Sequence, residues 1–283
     1  MYFKIIQLLF LLLFYITAYS QDWSDLNKSV VKVVYSCQDI GKAKSGTGFV
    51  WKKNNQIITS LHLVTGNCTN GNIYIFIPKN DSYTEGDFYS AKIIKILKSA
   101  DLAMLQVNIP ELIPLSLISS NLFVKQKVDV IGYPLGAPSK RSIELIIPFN
   151  ESKTLRPNIP SSIVSELNKM NFNSNLEVVH FQGSLLPGLS GAPIFNNQGQ
   201  VIAVGNGGLN RGQVDISWGI PSSKIIDLEN STEDLSSIDN IFKISSEIAF
   251  SFEISMDINN LGDDFLKQEK KNITEGYVSN PRS

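Results

Sequence analysis

The sequence predicts an all-β protein. Between Ser29 and Ile220 the chain consists of short apolar or alternating runs, which is the pattern of a barrel or a sandwich. Turn-forming residues, such as Lys-Lys-Asn-Asn at 52–55 and Asn-Asn-Gln-Gly at 196–199, separate these runs. The runs do not alternate with helical segments, so a parallel α/β fold is disfavoured.

The runs that predict strands are short and rich in aliphatic or β-branched side chains. After Pro221, a further segment, Ser222–Leu228, predicts a short helix. In chain order, the predicted strands are Val30–Tyr35, Gly46–Trp51, Gln56–Thr59, Asn72–Ile77, Ser90–Lys98, Leu102–Val107, Lys127–Ile131, Glu177–Phe181, Ala192–Phe195, Val201–Gly205 and Ile216–Ile220.

Two regions lack the pattern of short apolar runs that predicts strands. Residues 139–175 are polar, contain three prolines and include a helix-like segment at 161–170, so they predict a long loop inserted in the second half. Residues 229–239 are rich in Ser, Asn and Asp and predict a linker. The tail alternates at 248–254 and offers at most one strand, so residues 229–283 are expected to form an extension and not a separate domain.

Residues 1–20 have the composition of a secretory signal peptide. Lys4 precedes an apolar run over 5–18, and small residues suit cleavage after Ser20. An uncleaved membrane anchor is the alternative, but a spanning helix needs about 20 apolar residues. The expectation is an exported protein, secreted or periplasmic, whose mature form is not held in a membrane.

Charge and cysteine content exclude several classes of protein. The net charge of −1 does not favour a nucleic-acid partner. Cys37 and Cys68 would meet an oxidising compartment, where they can pair or remain two separate thiols. These cysteines and the two distant histidines, His62 and His180, lack the spacing of metal ligands. The sequence therefore predicts no metal and no cofactor.

The segment Leu186–Phe195 predicts a tight turn that exposes a nucleophilic serine. Ser190 is followed directly by Gly191, and one residue, Leu189, separates it from Gly188. Gly188 can adopt a conformation that is closed to other residues, so its N–H and that of Ser190 can converge on a developing oxyanion. A Gly-x-Ser-Gly turn also occurs in inert loops, so the motif alone does not establish catalysis.

Two further segments supply the partners that a nucleophilic serine needs. His62 follows a predicted strand, and imidazole, with an ordinary pKa of about 6.5, can accept and return a proton near neutrality. Asp101 heads an apolar run, where a buried carboxylate needs a partner and could orient the imidazole. His180 lies within a strand and is the less suitable base. Each segment alone also has a structural explanation, a histidine that donates at a strand end or an aspartate that caps its own strand.

Six ordered motifs together resemble the trypsin-like serine peptidases, and especially their HtrA (Deg) branch. The match covers roughly residues 28 to 226. The motifs are Ser-Gly-Thr-Gly-Phe-Val at 45–50, Thr-Ser-Leu-His-Leu-Val at 59–64, Asp-Leu-Ala at 101–103, Gly-Tyr-Pro-Leu-Gly at 132–136, Gly-Leu-Ser-Gly-Ala-Pro at 188–193 and Trp-Gly-Ile-Pro at 218–221.

This resemblance implies two six-stranded antiparallel β-barrels within a domain over 21–228, the first barrel at about 28–115 and the second at about 116–228. The cleft between them would hold a triad, with Ser190 as nucleophile, His62 as base and Asp101 as the residue that orients the histidine. The N–H groups of Gly188 and Ser190 would form the oxyanion hole. The implied activity is hydrolysis of a polypeptide through an acyl-enzyme.

Several positions depart from the family pattern. Leu189 replaces the Asp or Asn that usually precedes the serine, so activation by an ion pair with a new N-terminus is not expected. The chain after residue 228 is too short for a PDZ domain. The substrate pocket implied by the resemblance is uncharged, which disfavours a preference for charged side chains; it comprises Ser184, Gly205, Asn206 and Trp218.

Two other functions fit the sequence less well. A catalytically silent barrel that binds proteins or acts as a chaperone is disfavoured, because His62, Asp101 and Ser190 are all present. An esterase of the α/β-hydrolase type is opposed by the order His, Asp, Ser along the chain and by the lack of alternating helices.

Overall fold

A computed structural model of the chain describes residues 23–37, 42–66, 71–79, 86–109, 112–137, 140–158, 175–209, 216–238 and 256–257. Two α-helices lie in these ranges, α1 (Trp23–Lys28) and α2 (Ser223–Asn230). The strands are β1 (Val30–Cys37), β2 (Lys42–Val50), β3 (Gln56–Ser60), β4 (Gly71–Pro78), β5 (Gly86–Leu97), β6 (Leu102–Gln106), β7 (Lys127–Gly132), β8 (Arg141–Ile146), β9 (Lys153–Thr154), β10 (Glu177–Gln182), β11 (Pro193–Phe195), β12 (Val201–Leu209), β13 (Ile216–Pro221) and β14 (Met256–Asp257).

The first six strands close into one antiparallel barrel. Their order is β1-β4-β5-β6-β3-β2, and β2 pairs again with β1, with Val33 opposite Gly46. Branched side chains at alternate positions point inward because successive residues of a strand face opposite sides. Val31, Val33, Ile57 and Leu105 are fully buried in this interior.

The second barrel follows the same plan with six later strands. The order is β13-β12-β11-β7-β8-β10, and pairing of β10 with β13 closes the ring, with His180 opposite Trp218. β9 extends β10 on the outside through Glu177 and Thr154. The predicted fold of two six-stranded antiparallel barrels is confirmed.

The predicted loop over 139–175 is wrong for its first part. Arg141–Ile146 forms β8, which pairs with all six residues of β7. Half of the six β8 side chains, those of Arg141, Ser142 and Glu144, are polar and exposed, and only Leu145 is fully buried. The segment therefore lacks the apolar run by which a buried strand is predicted. The predicted helix at 161–170 lies outside the described residues.

The predicted helix after Pro221 is confirmed as α2, and its last turn and the residues that follow it contact the first barrel. Trp51 Nε1 donates to Glu229 Oε1 at 3.0 Å, Ser231 Oγ donates to the carbonyl of Ile96 at 2.5 Å, and Lys98 N donates to Glu233 Oε2 at 3.2 Å. Residues 229–233, which the composition predicted as a linker, therefore fasten the end of the second barrel to the first.

The remaining terminal predictions fall mostly outside the described ranges. These include the signal peptide at 1–20 and the alternating tail at 248–254. Two tail residues are described, Met256 and Asp257, which pair with Ala43 and Lys42 of β2. Within the described part of the chain, none of the helices has the length and apolar character to cross a bilayer. Cys37 is disulfide-bonded, and the only other cysteine of the sequence, Cys68, lies outside the described residues.

Candidate active site

His62 lies in a single 3₁₀ turn, Leu61–Val64, directly after β3. The apolar residues of this turn are buried in the first barrel, whereas the imidazole is 11% exposed. The Thr65 hydroxyl donates to the carbonyl of Leu61 at 2.6 Å, and the buried ammonium of Lys44 donates to the carbonyls of His62 and Thr65. Burial and these bonds hold the imidazole at the barrel surface.

Asp101 stands where β6 begins, and it contacts the histidine turn three times. Its Oδ2 lies 2.5 Å from His62 Nδ1, its Oδ1 accepts from the His62 N–H at 2.9 Å, and its carbonyl accepts from the Leu61 N–H at 2.8 Å. The backbone of Asp101 is left-handed, with φ 52° and ψ 41°, a conformation that aspartate tolerates better than most residues. The structure thus brings His62 and Asp101 into hydrogen-bonding contact.

Ser190 lies in the second barrel, on the turn between β10 and β11. Gly188 has a φ of +91°, and a Cβ there would come within 2.4 Å of the Tyr133 carbonyl oxygen. Gly191 has a φ of +82°, and a Cβ there would come within 2.1 Å of the Thr47 carbonyl oxygen. Only glycine fits either position, so the Gly-x-Ser-Gly pattern reflects both backbone conformation and close packing.

Thr47 of β2 joins the serine turn to the first barrel. Its N–H donates to the Ser190 carbonyl at 2.9 Å, and its hydroxyl donates to the Gly188 carbonyl at 2.7 Å. The same hydroxyl accepts from the Tyr133 N–H at 3.0 Å. Thr47 is not among the site residues predicted from the sequence; its place in the glycine-rich run 45–50 is the only signal that marks it.

Two amide groups of the serine turn remain available for a ligand. Among the described residues, the N–H groups of Gly188 and Ser190 have no backbone acceptor, although their neighbours Leu189 and Gly191 do. The carbonyl oxygen of Pro187 is turned away from the site and accepts from Leu135 N at 2.6 Å. Free amides on either side of Leu189 are the donors that an oxyanion hole requires.

The turn at Gly132–Gly136 is hydrogen-bonded to the serine turn. It contains Leu135 in a left-handed conformation, with φ 54°, and its Gly136 carbonyl accepts from the buried Lys32 ammonium at 2.9 Å. Burial lowers the pKa of Lys32 to about 8. The turn is thereby attached to β1 of the first barrel as well as to the serine turn.

Of the four predicted pocket residues, Asn206 hydrogen-bonds to the triad, and Trp218 hydrogen-bonds to Asn206. Asn206 Nδ2 donates to Asp101 Oδ2 at 2.6 Å, and Trp218 Nε1 donates to Asn206 Oδ1 at 3.0 Å. Gly205 accepts from the Gly191 N–H at 2.7 Å. Ser184 is half-buried in the segment before the turn.

The hydroxyl of Ser190 is directed at Asn206 and not at the imidazole. Its Oγ donates to the Asn206 carbonyl at 3.4 Å, which is long for a hydrogen bond. Within the described residues, Ser190 and His62 share no hydrogen bond. Catalytic hydrogen bonds are often long in the absence of substrate, and a rotation of the hydroxyl would be needed to reach the base.

His180 is enclosed near the same strands. It is 4% exposed, and its Nε2 atom is buried without a hydrogen-bond partner. Burial, together with the positive charge of Lys153, lowers the pKa of His180. Such a histidine is neutral near pH 7 and is poorly suited to accept a proton. Among the described residues, no group of three or more His, Cys, Asp or Glu side chains could hold a metal ion.

Comparisons with known proteins agree with this geometry. The family model of the trypsin-like peptidase domain matches residues 46–204. Serine protease HTRA1A of Danio rerio is 27% identical over 195 residues, which are 69% of this chain and 36% of that protein. A probable periplasmic serine endoprotease, DegP-like, of Hahella chejuensis is 27% identical over 221 residues, 75% of this chain and 41% of that protein. The chain thus spans about two fifths or less of these relatives.

Solved structures share the two-barrel fold. The HtrA-type protease AlgW with a tripeptide aligns with a TM-score of 0.57 at 14% identity, over 76% of this chain and 65% of that one. The active form of the Rv3671c protease from M. tuberculosis aligns with a TM-score of 0.52 at 20% identity, over 75% and 85%. The family model covers more than half of the 283 residues, and the chain therefore belongs to the trypsin-like peptidase domain family, as an HtrA-type serine peptidase domain.

Proposed function

We propose that this protein is an exported serine endopeptidase that hydrolyses peptide bonds through Ser190, His62 and Asp101. The observation that carries the proposal is the 2.5 Å contact between His62 Nδ1 and Asp101 Oδ2, because a hydrogen bond at Nδ1 fixes the tautomer in which Nε2 acts as the base. The serine turn, with its two free amides, is fastened to the same barrel through Thr47.

The chemistry proceeds in two stages. Ser190 Oγ attacks the substrate carbonyl while His62 Nε2 takes its proton, and the oxyanion receives hydrogen bonds from the N–H groups of Gly188 and Ser190. His62 then returns the proton to the leaving amine, and an acyl-enzyme remains. Water, activated by the same imidazole, releases the acyl group and restores the serine hydroxyl. Asp101 holds the tautomer and stabilises the imidazolium throughout.

The surroundings favour a polypeptide substrate with an uncharged side chain at the cleaved position. No formal charge is carried by the four predicted pocket residues, Ser184, Gly205, Asn206 and Trp218. The side chain of Asn206 is already hydrogen-bonded to Asp101 and Trp218. The DegP-like relative of Hahella chejuensis is named as periplasmic, which supports an exported location together with the signal-like composition of residues 1–20.

A fluorophosphonate probe tests the proposal. We expect the wild-type protein to be labelled at Ser190 and to degrade an unfolded protein such as reduced casein. Ser190→Ala should take up no label and lose about a millionfold in kcat, because nothing else in the triad can attack the carbonyl. Ser119→Ala, which removes a hydroxyl far along the chain from the serine turn, is the control and should keep both activities. A wild-type protein that neither labels nor cleaves would contradict the proposal and favour a catalytically silent barrel.

A further inference from the structure

Lys32 of β1 carries a buried ammonium at the contact between the two barrels. Its neighbours Val31 and Val33 are fully buried inside the first barrel, so Lys32 points outward in the alternation of the strand. It is nevertheless only 3% exposed. Its ammonium donates at 2.9 Å to the carbonyl of Gly136, which ends the turn that follows β7 of the second barrel. The Lys32 side chain therefore links the first barrel to this turn.

Burial of this ammonium is unfavourable in itself. Burial lowers the pKa of Lys32 to about 8, because the surroundings disfavour the charged form. An apolar side chain could fill the same space beside Phe76, whose ring centre lies 5.6 Å from the ammonium. The lysine adds a hydrogen bond to Gly136 that an apolar residue cannot make. The consequence of having lysine here therefore depends on what the Gly136 carbonyl is attached to.

Two paired residues of the first barrel hold the two ends of the Gly132–Gly136 turn. Lys32 lies opposite Thr47 in the register of β1 and β2. The Thr47 hydroxyl accepts from the Tyr133 N–H at 3.0 Å near the start of the turn, and Lys32 donates to Gly136 at its end. Between them, Leu135 has a left-handed φ of 54°, which a residue other than glycine keeps only when its surroundings hold it there. The first barrel thus constrains the turn on both sides of its strained residue.

The turn determines the direction of one peptide group in the serine turn. Leu135 N donates to the Pro187 carbonyl oxygen at 2.6 Å. That carbonyl shares a planar peptide group with the Gly188 N–H, and no peptide bond of the described residues is cis, so the two groups point in opposite directions. The Gly188 N–H therefore points away from the turn. Gly188, with a φ of +91°, has no Cβ to stop this peptide group from rotating if the bond to Leu135 is lost.

We propose that Lys32 is a positioning residue of the oxyanion hole, because through Gly136 it holds the turn in the place from which Leu135 fixes the direction of the Gly188 N–H. This inference rests on the proposed function. It gives a side chain of the first barrel control over a donor that belongs to the second barrel. Lys32 acts on the reaction through the backbone of the turn and not by contact with the substrate.

Lys32→Met tests the proposal, because methionine fills a similar volume without the ammonium. With a peptide substrate, kcat should fall about ten- to a hundredfold and KM should stay unchanged, since the loss concerns a donor that acts in the transition state. A peptidyl trifluoromethyl ketone adds to Ser190 as a hemiketal whose oxygen occupies the oxyanion hole. Its affinity should fall by the same factor as kcat/KM. Wild-type kcat and wild-type ketone affinity in Lys32→Met would overturn the proposal.

Lys140→Met is the matched control. Burial also lowers the pKa of Lys140 to about 8, and its ammonium also donates to a backbone carbonyl, but that carbonyl belongs to Asn27 of α1. This substitution should leave kcat, KM and ketone affinity unchanged. Lys32→Leu, a second apolar replacement, should reproduce the effects of Lys32→Met. Equal losses of activity in Lys32→Met and Lys140→Met would show a general effect of removing a buried lysine and would contradict the proposal.

Amide hydrogen exchange, followed by NMR, tests the same contact without any need for activity. The Leu135 N–H is protected by its bond to Pro187, and in Lys32→Met it should exchange at least about tenfold faster. Amides of the β3–β6 pairing, and Leu135 itself in Lys140→Met, should exchange at the wild-type rate. If Leu135 exchanges equally in Lys32→Met and the wild type, Lys32 does not hold the turn, whether or not the wild type cleaves peptides. Faster exchange in a protein whose wild type takes up no fluorophosphonate would refute the proposed function alone.

Discussion

At the scale of single residues, the second barrel buries a histidine whose polar atoms are only partly satisfied. His180 illustrates the cost, because its ring lies edge-on to Phe149, with centroids 6.1 Å apart, and its Nε2 atom lacks a hydrogen bond. The ammonium of Lys153 sits 4.5 Å from the centre of the Phe149 ring. Burial and this charge both disfavour protonation, so the pKa of His180 in the folded protein is lowered from 6.5.

The lowered pKa of His180 predicts a loss of stability in acid. The unfolded chain binds the proton more readily than the folded one, so the contribution of His180 is complete above pH 6.5 and is lost as the pH falls towards the folded pKa. When the pH is lowered from 7.5 to 5, the unfolding temperature of His180→Leu should therefore fall less than that of the wild type. Calorimetry at the two pH values measures the difference.

Lys153→Met provides the companion variant. Without the ammonium, the pKa of His180 should return part of the way to 6.5, and the loss of stability in acid should become smaller than in the wild type. Equal acid sensitivity in the wild type and in both variants would show that His180 does not govern this behaviour.

At the scale of elements, the position of His62 depends on one short turn. A 3₁₀ turn has poor hydrogen-bond geometry and is rarely stable alone. Lys44 of β2 stabilises this turn, because its ammonium donates to the carbonyls of His62 and Thr65. The ammonium also lies 5.4 Å from the centre of the Tyr35 ring. A cation at the carbonyl end of a helical turn also interacts favourably with the turn dipole.

Replacement of Lys44 should loosen the histidine turn. Lys44→Met keeps the apolar stem but removes the donor to the buried Thr65 carbonyl and to the partly buried His62 carbonyl, and the loss at a buried carbonyl costs about 1–3 kcal/mol. We expect kcat for a peptide substrate to fall about tenfold or more, with a lower unfolding temperature. Steady-state kinetics and thermal denaturation measure the two effects.

Lys92→Met serves as the comparison, since Lys92 is exposed on β5 of the same barrel. It should leave kcat and the unfolding temperature unchanged. Wild-type kcat in Lys44→Met would mean that burial of Leu61, Leu63 and Val64 alone positions the imidazole.

At the scale of the whole molecule, two barrels must hold a fixed relation, because each supplies part of the site. The last turn of α2 provides one link. Glu229 accepts from Trp51 Nε1 at 3.0 Å and pairs with Lys52 at 2.8 Å, while its carbonyl accepts from the Lys95 ammonium. The indole bond is the stronger contribution, since Lys52 is about half exposed and surface pairs add little.

Removal of the Glu229 carboxylate should therefore weaken the whole fold. Glu229→Ala should lower the free energy of unfolding by about 1–2 kcal/mol, because the bond from a partly buried indole to a charged acceptor is lost. Urea denaturation followed by tryptophan fluorescence measures it. Glu151→Ala removes an exposed carboxylate that pairs with Lys153 at 3.5 Å, and it should change stability by less than about 0.5 kcal/mol. Equal effects of the two substitutions would rule out a stabilising role for the link.

Prediction from the sequence worked best where local pattern and structure depend on the same few residues. Apolar alternation marks the strands of the first barrel, and the glycines of the serine turn mark backbone conformations that other residues cannot adopt. It failed at β8, because that strand buries little of its surface and its pairing with β7 is invisible in its own composition. The ends of strands also shifted, since partner strands determine how far pairing extends.

The sequence by itself determined the family, the two-barrel fold and the candidate triad, because each of these leaves a local pattern that can be read along the chain. Only the tertiary structure decided what Asn206, Trp218, Thr47 and Lys44 contact. Asn206 meets Asp101 across 105 positions of sequence, and that contact depends on a bulge whose register is set by the neighbouring strand. Contacts between distant residues depend on how two closed barrels pack together, and no single segment carries that information.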